Sequence, residues 1–174
     1  MKNKIVVKNR MDLERFLEYN KFHYYHITKI KRSNIIFSLG LVLMIVSFSI
    51  TRDYYYLVLS GILGFFLLLF NTMYKSNAKR LYNSYDKEVI EAENTFEFLA
   101  DEIKVLSKKF KNSINYTSLY LVAETNNAFY IYISKLQAFV IAKNDLKAGD
   151  IDKLKELLRT KISVKKYKVY NYGD

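Results

Sequence analysis

The two histidines of the sequence, His23 and His26, are the first candidates for metal binding. Because they are three residues apart on a predicted helix, both imidazoles could reach one metal ion. The glutamate of the HExxH pattern is missing, the chain has no cysteine, and the neighbouring residues are aromatic. The pattern therefore favours histidines that pack or lie at an interface, and no metal or other cofactor is expected.

The other short motifs do not build a catalytic site. Ser84 and Lys87 match the Ser-x-x-Lys pattern of some acyl-transfer enzymes, but they lie in a charged linker without companion motifs. Asn115 begins a glycosylation sequon inside a predicted strand, and the five glycines form no phosphate-binding loop. The acidic residues that follow are interpreted as a solvated strand face: Glu88, Glu91, Glu93 and Glu97. We therefore expect a protein that is not an enzyme.

Two basic clusters could bind an anionic surface. Lys108, Lys109 and Lys111 lie around a predicted turn, and residues 165–172 alternate lysines with tyrosines and a valine. Each exposed cation close to an anionic membrane leaflet contributes about 1 kcal/mol, so either cluster could contact lipid headgroups. A protein partner is the other candidate. Ordinary solvated lysines remain the alternative interpretation of both clusters, since the whole chain is rich in lysine.

The elements that must position these side chains include two apolar runs. Residues 35–50 and 54–74 contain no charge, and three residues separate them. At about 1.5 Å per residue, each run is typical of a helix that crosses about 30 Å of hydrocarbon. The short connection makes the two helices antiparallel, and Gly40, Gly61 and Gly64 could allow them to pack closely. A buried helical hairpin in a soluble protein is the alternative interpretation.

The net charge of +11 is concentrated beside these runs. Residues 1–32 carry nine basic residues (Lys or Arg) and three acidic ones. Residues 75–80 carry three basic residues and no acidic one, and residues 81–174 carry fifteen basic and thirteen acidic residues. The cations at the outer ends of the hairpin are Lys29, Lys31, Arg32, Lys75, Lys79 and Arg80. The positive-inside rule therefore predicts that both termini are cytoplasmic. Because topology and anionic headgroups account for these cations, nucleic-acid binding is not expected.

Hydrophobic periodicity predicts the elements outside the hairpin. Strands are predicted at residues 5–7, 89–98, 103–110, 113–116, 119–124, 128–134 and 138–142. A basic, aromatic-rich helix over residues 10–32, capped by Asn9, is predicted to run straight into the first span. It could lie on the membrane or pack on the domain. A last helix is predicted from its cap Asp150 to about Lys161.

The predicted fold class is membrane α+β. A two-span transmembrane hairpin is joined to a small antiparallel sheet or partial barrel, which a C-terminal helix closes. The chain then has five segments. They are a strand and juxtamembrane helix at 1–32, the hairpin at 33–74 with spans 34–50 and 54–74, a linker at 75–86, a cytoplasmic domain at 87–162, and a basic, aromatic tail at 163–174.

The strand-rich segments carry a resemblance to a known family. They read NTFEF at 94–98, DEIKV at 101–105, INY at 114–116, LVAET at 121–125, FYIYI at 129–133 and FVIAK at 139–143. With the preceding strand, helix and apolar hairpin, they resemble the YcxB-like family of bacterial membrane proteins. The resemblance implies a C-terminal domain similar to a bacterial pleckstrin-homology (PH)-like fold, and it implies no catalytic residue.

Two classes of function are expected from these observations. The first is a multi-pass protein of the bacterial inner membrane that presents a PH-like domain to a protein partner or lipid headgroup. The second is a small membrane immunity protein against a toxin or bacteriocin, or an accessory subunit of a transporter. A membrane-bound enzyme is a third class, but it would require a constellation of titratable groups that the sequence does not show.

Overall fold

The computed structural model describes residues 4–28, 30–107 and 110–171, with every side chain in these ranges except those of Lys31, Phe70 and Asn71. The chain divides into two compact units. The helical unit is Phe16–Ser84. The strand unit combines the residues up to Arg15 with those from Tyr85 onward.

The helix that precedes the apolar runs differs from its prediction in two ways. Helix α1 (Leu13–Phe22) is followed by a π-helix at His23–Ile27 and a bend at Thr28, so it does not run straight into the first span. Asn9 is not its cap, because Asn9 belongs to a strand. The carboxylate of Asp12 takes that place and accepts a hydrogen bond of 2.9 Å from the backbone N–H of Arg15.

The two apolar runs form helices α2 (Ile30–Thr51) and α3 (Tyr54–Ser84). Their apolar windows have mean hydropathies of 2.1 and 1.9, and neither is buried inside the protein. By length and composition, both helices could cross a membrane. Helix α3 continues without a break to Ser84, so most of the segment expected to be a linker is helical.

The predicted antiparallel packing of α2 against α3 is confirmed. A Cβ atom added to Gly40 would lie 3.5 Å from Leu63 Cδ2, and one added to Gly64 would lie 3.4 Å from Leu41 Cδ1. Both glycines therefore lie where the helices touch. Gly61 does not, since an added Cβ atom would meet nothing within 4 Å.

The first sheet of the strand unit is an antiparallel meander in the order β1-β2-β3-β4. Its strands are β1 (Ile5–Asn9), β2 (Asn94–Phe98), β3 (Glu102–Leu106) and β4 (Lys111–Asn115). Alternate residues of β1, β2 and β3 are buried, as period-two patterning requires. The predicted strand at residues 5–7 is thus confirmed as an edge strand, paired with β2.

The second sheet has the order β7-β6-β5-β8. Its strands are β5 (Leu121–Glu124), β6 (Ala128–Tyr132), β7 (Ala138–Ala142) and β8 (Tyr167–Val169). All five residues of β6 are buried, because it is a central strand with both faces covered. Strand β8 was not predicted. It lies in the supposed tail and pairs with β5 in parallel, whereas the predicted sheet was entirely antiparallel.

A single hydrophobic core joins the two sheets and helix α5 (Asp150–Lys161). Leu154 and Leu158 of α5 are fully buried in the same cluster as Phe98, Ile103 and Phe129. Each such leucine contributes about 1.5–3 kcal/mol by its burial. The predicted C-terminal helix is confirmed, but Asp150 is its first residue rather than its cap.

Polar contacts also join the two sheets beside β1 and β7. The side-chain amide of Asn9 donates to the backbone carbonyl of Val140. Arg15 holds the carboxylate of Asp145 with two hydrogen bonds, of 2.6 and 2.8 Å. The first contact joins the two sheets, and the second joins α1 to the turn after β7. The architecture is two four-stranded sheets and not a closed barrel.

The prediction of a strand over residues 89–98 is wrong in its first half. Residues Lys87–Ile90 form a short helix, α4, and the strand begins only at Asn94. The side chain of Asp86 explains the difference, because it caps this helix by accepting a 2.9 Å hydrogen bond from the N–H of Glu88. A capping side chain can thus stabilise a short helix in a segment whose alternating apolar and polar residues favour a strand.

Candidate binding surfaces

The predicted basic turn lies in the hairpin between β3 and β4. A 2.9 Å hydrogen bond from Ser107 N to Phe110 O closes this turn. Lys108 and Lys109 lie outside the described residues. Lys111 is the first residue of β4 and is exposed, and the neighbouring Phe110 is 48% exposed. The turn therefore presents an exposed aromatic ring beside a cation, which is a pairing suited to a membrane interface.

A cleft of about 640 Å³ lies beside this turn. Its wall includes Phe110 from the turn, Val89 from α4, and the charged side chains of Arg10 and Glu91. Arg10 and Glu91 form an ion pair of 2.7 Å with each other. The acids that were interpreted as a solvated strand face are thus ion-paired in part, since Glu93 also binds Lys8 at 2.9 Å and Glu97 binds Lys4 at 2.7 Å.

The cations expected to set the topology lie at the ends of α2 and α3. Arg32 is exposed at the start of the apolar window of α2. Lys75, Lys79 and Arg80 are exposed on the last part of α3. Lys29 and the side chain of Lys31 lie outside what the structure describes. The cytoplasmic orientation that these cations suggest stays a prediction.

The two histidines are packed among aromatic rings. The ring of His26 stacks on Phe22 with centroids 5.0 Å apart, and His23 lies 5.8 Å from Tyr19. Burial lowers the pKa of His23, which favours the neutral imidazole at pH 7. Among the described residues, no three His, Cys, Asp or Glu side chains come together to hold a metal ion.

A buried carboxylate that was not predicted from the sequence, Glu124, lies at the end of β5. Its Oε1 accepts from Lys155 Nζ at 3.0 Å and from Lys143 Nζ at 3.3 Å. Its Oε2 accepts a 2.6 Å hydrogen bond from the hydroxyl of Tyr167 and lies 3.7 Å from a guanidinium nitrogen of Arg159. We call these five residues the Glu124 cluster. They join β5, β8, α5 and the segment after β7.

The electrostatics of the Glu124 cluster keep its carboxylate ionised. Burial alone would raise the pKa of Glu124, but hydrogen bonds from Tyr167, Lys155 and Lys143 outweigh burial and hold the pKa below its ordinary value. Burial and the hydrogen bond to Glu124 raise the pKa of Tyr167, so its phenol stays protonated and donates. The cluster is thus a charged network in which an ionised carboxylate accepts hydrogen bonds from two ammonium groups and one protonated phenol.

No local motif in the sequence could have revealed this cluster. Glu124 is the only acid among the apolar residues of β5, which is a signal that a carboxylate is buried and needs partners. Its partners come 19 to 43 residues later in the chain. Their convergence depends on the packing of α5 and on the parallel strand β8.

The fold and these surfaces define a small α+β domain linked to two long apolar helices. The comparisons agree with the resemblance read from the sequence. Residues 98–158 match the model of the family described as YcxB-like protein. The match runs from the last residue of β2 into α5, so the resemblance to that family is confirmed over the greater part of the strand unit. No curated protein and no solved structure matches the chain.

Proposed function

We propose that this chain is an integral membrane protein of the bacterial inner membrane that carries a PH-like, non-catalytic binding domain. Helices α2 and α3 cross the bilayer, and both termini are cytoplasmic. The observation that carries the proposal is the exposed apolar surface of both helices, with Leu43 and Leu68 among the most exposed side chains. Water does not favour so large a contiguous apolar surface, whereas lipid does.

The ligand of the domain, in this proposal, is the anionic lipid of the same membrane. The β3–β4 turn supplies three lysines by sequence, and Phe110 beside them is half exposed. Phenylalanine partitions into the interface while lysine ammonium groups pair with anionic headgroups. Two sheets with a helix packed on their common core support the PH-like assignment.

A tryptophan reporter tests this contact, because the natural chain contains no tryptophan. We expect Phe110→Trp in the full chain to fluoresce at shorter wavelength in nanodiscs that contain phosphatidylglycerol than in nanodiscs of phosphatidylcholine alone. Changing Lys108, Lys109 and Lys111 to Gln should abolish the difference. At about 1 kcal/mol per cation, the three lysines favour the docked state by roughly 150-fold.

The control reporter is Leu136→Trp, which places the same probe on the exposed loop between β6 and β7. Its emission should not depend on the lipid. Equal emission of Phe110→Trp in both lipids would contradict the proposed contact. A shift of the Leu136→Trp emission as large as that of Phe110→Trp would also contradict the proposed contact, because it would show a general effect of the lipid on tryptophan emission.

A further inference from the structure

The Glu124 cluster has more positive charge than its carboxylate can neutralise. Lys143, Lys155 and Arg159 together carry three positive charges, and Glu124 supplies one negative charge. Within the part of the chain that the structure describes, no second carboxylate forms an ion pair with any of these three cations. Among the described residues, the ion pairs of the cluster therefore leave two positive charges unmatched.

The three cations form a rim that solvent reaches. The side chain of Glu124 is only 4% exposed, whereas those of Lys143, Lys155 and Arg159 are 17%, 35% and 51% exposed. Lys155 and Arg159 are four residues apart on α5, so they lie on the same face of the helix. The carboxylate is thus buried, and the cations that contact it remain accessible to solvent.

The geometry of the rim indicates pre-organisation. Both ammonium groups bind the same oxygen of Glu124, so two like charges are held close together. The guanidinium group of Arg159 lies over the ring of Tyr167, 5.3 Å from its centroid. This contact restricts the orientation of the planar guanidinium group. Lys143 lies 5.0 Å from the centroid of Phe129. An anion over the rim would relieve the repulsion between these cations.

We propose that the rim of Lys143, Lys155 and Arg159 binds a phosphate monoester group. A phosphate monoester carries close to two negative charges at neutral pH, which matches the two charges left over. Its three terminal oxygens can accept from two ammonium groups and from the guanidinium fork at once. A carboxylate ligand would neutralise one charge only. This site is distinct from the β3–β4 turn and does not depend on the proposed membrane contact.

Calorimetric titration of the detergent-solubilised full chain with inorganic phosphate tests the site, with sodium chloride holding the ionic strength constant. We expect saturable binding in the natural chain. In the Lys155→Gln, Arg159→Gln double variant, phosphate binding should weaken roughly tenfold or more, because two charged hydrogen-bond donors are lost. Lys143 and Tyr167 still satisfy Glu124 in this variant, so the fold is kept.

The matched control changes two other cations of the same helix, in the Lys153→Gln, Lys161→Gln variant. These lysines pair with Asp150 and Asp101, outside the cluster. The net charge changes equally, but phosphate binding should be unaffected. Equal weakening in both double variants would overturn the proposal, since it would show a general effect of charge. An Arg159→Lys variant should bind phosphate with intermediate affinity, because it keeps the positive charge but loses the planar pair of guanidinium N–H donors.

A second set of titrations identifies the source of the phosphate group. The full chain in nanodiscs is titrated with inorganic phosphate, and hydrogen exchange over α5 is compared in nanodiscs with phosphatidate or phosphatidylglycerol. Protection by soluble phosphate supports a free phosphate monoester as the ligand. Protection that requires phosphatidate supports a lipid headgroup. Absence of both responses would overturn the proposal.

Discussion

Replacing Leu158 by alanine should lower the free energy of unfolding of the strand unit by about 2–5 kcal/mol. Leu158 is fully buried in the core that both sheets share with α5, so the lost side chain leaves a cavity that the sheets cannot close. Hydrogen exchange of the β6 amides in the detergent-solubilised full chain measures this change, because β6 is an interior strand with all five residues buried.

Leu157→Ala is the matched control for the core substitution. Leu157 is partly buried at the edge of the same cluster, and the alanine removes the same atoms. We expect a loss of about 1 kcal/mol or less, because surrounding side chains and solvent can fill the space. Equal losses for Leu157→Ala and Leu158→Ala would contradict the described packing of α5.

Glu124→Gln should destabilise the strand unit by about 2–3 kcal/mol at pH 7. The variant loses the charge that attracts Lys143, Lys155 and Arg159, and hydrogen bonds to a charged group contribute about 1.5–3 kcal/mol. The cations are partly exposed, so water offsets some of the loss. Glu156→Gln on the exposed face of the same helix should change stability by less than about 0.5 kcal/mol.

The pH dependence of this effect has a definite sign. The folded-state pKa of Glu124 lies below the ordinary value of 4.5, because hydrogen bonds from Tyr167, Lys155 and Lys143 outweigh burial. The stability that the carboxylate contributes is therefore present above pH 4.5 and is lost as the pH falls through the lower folded pKa. In Glu124→Gln this acid-dependent component should be absent. An unchanged acid profile would contradict the network described for the Glu124 cluster.

Local patterning was sufficient to predict much of the fold. Strand β7 lies at residues 138–142 as the alternation predicted, and α5 ends at Lys161. The hairpin of α2 and α3 was also predictable, because long uncharged runs have few structural alternatives. In each case the signal lies within one continuous stretch of the chain.

The elements that the sequence did not reveal depend on distant contacts. Strand β8 is three residues long, and its stability comes from pairing with β5, more than forty residues earlier. The same pairing brings Tyr167 to Glu124. Alternating lysines and tyrosines indicate an exposed tail as readily as an edge strand, so only the tertiary structure identifies β8 and the cluster.

The central claim is that α2 and α3 cross the membrane with the strand unit in the cytoplasm, and single-cysteine labelling tests it most directly. The natural chain has no cysteine, so Thr51→Cys and Ser163→Cys each introduce one exposed thiol. In intact cells, a membrane-impermeant maleimide should label Thr51→Cys and not Ser163→Cys. After the cells are permeabilised, both should be labelled. Labelling of Ser163→Cys in intact cells, or of neither residue until the cells are opened, would contradict the proposed topology.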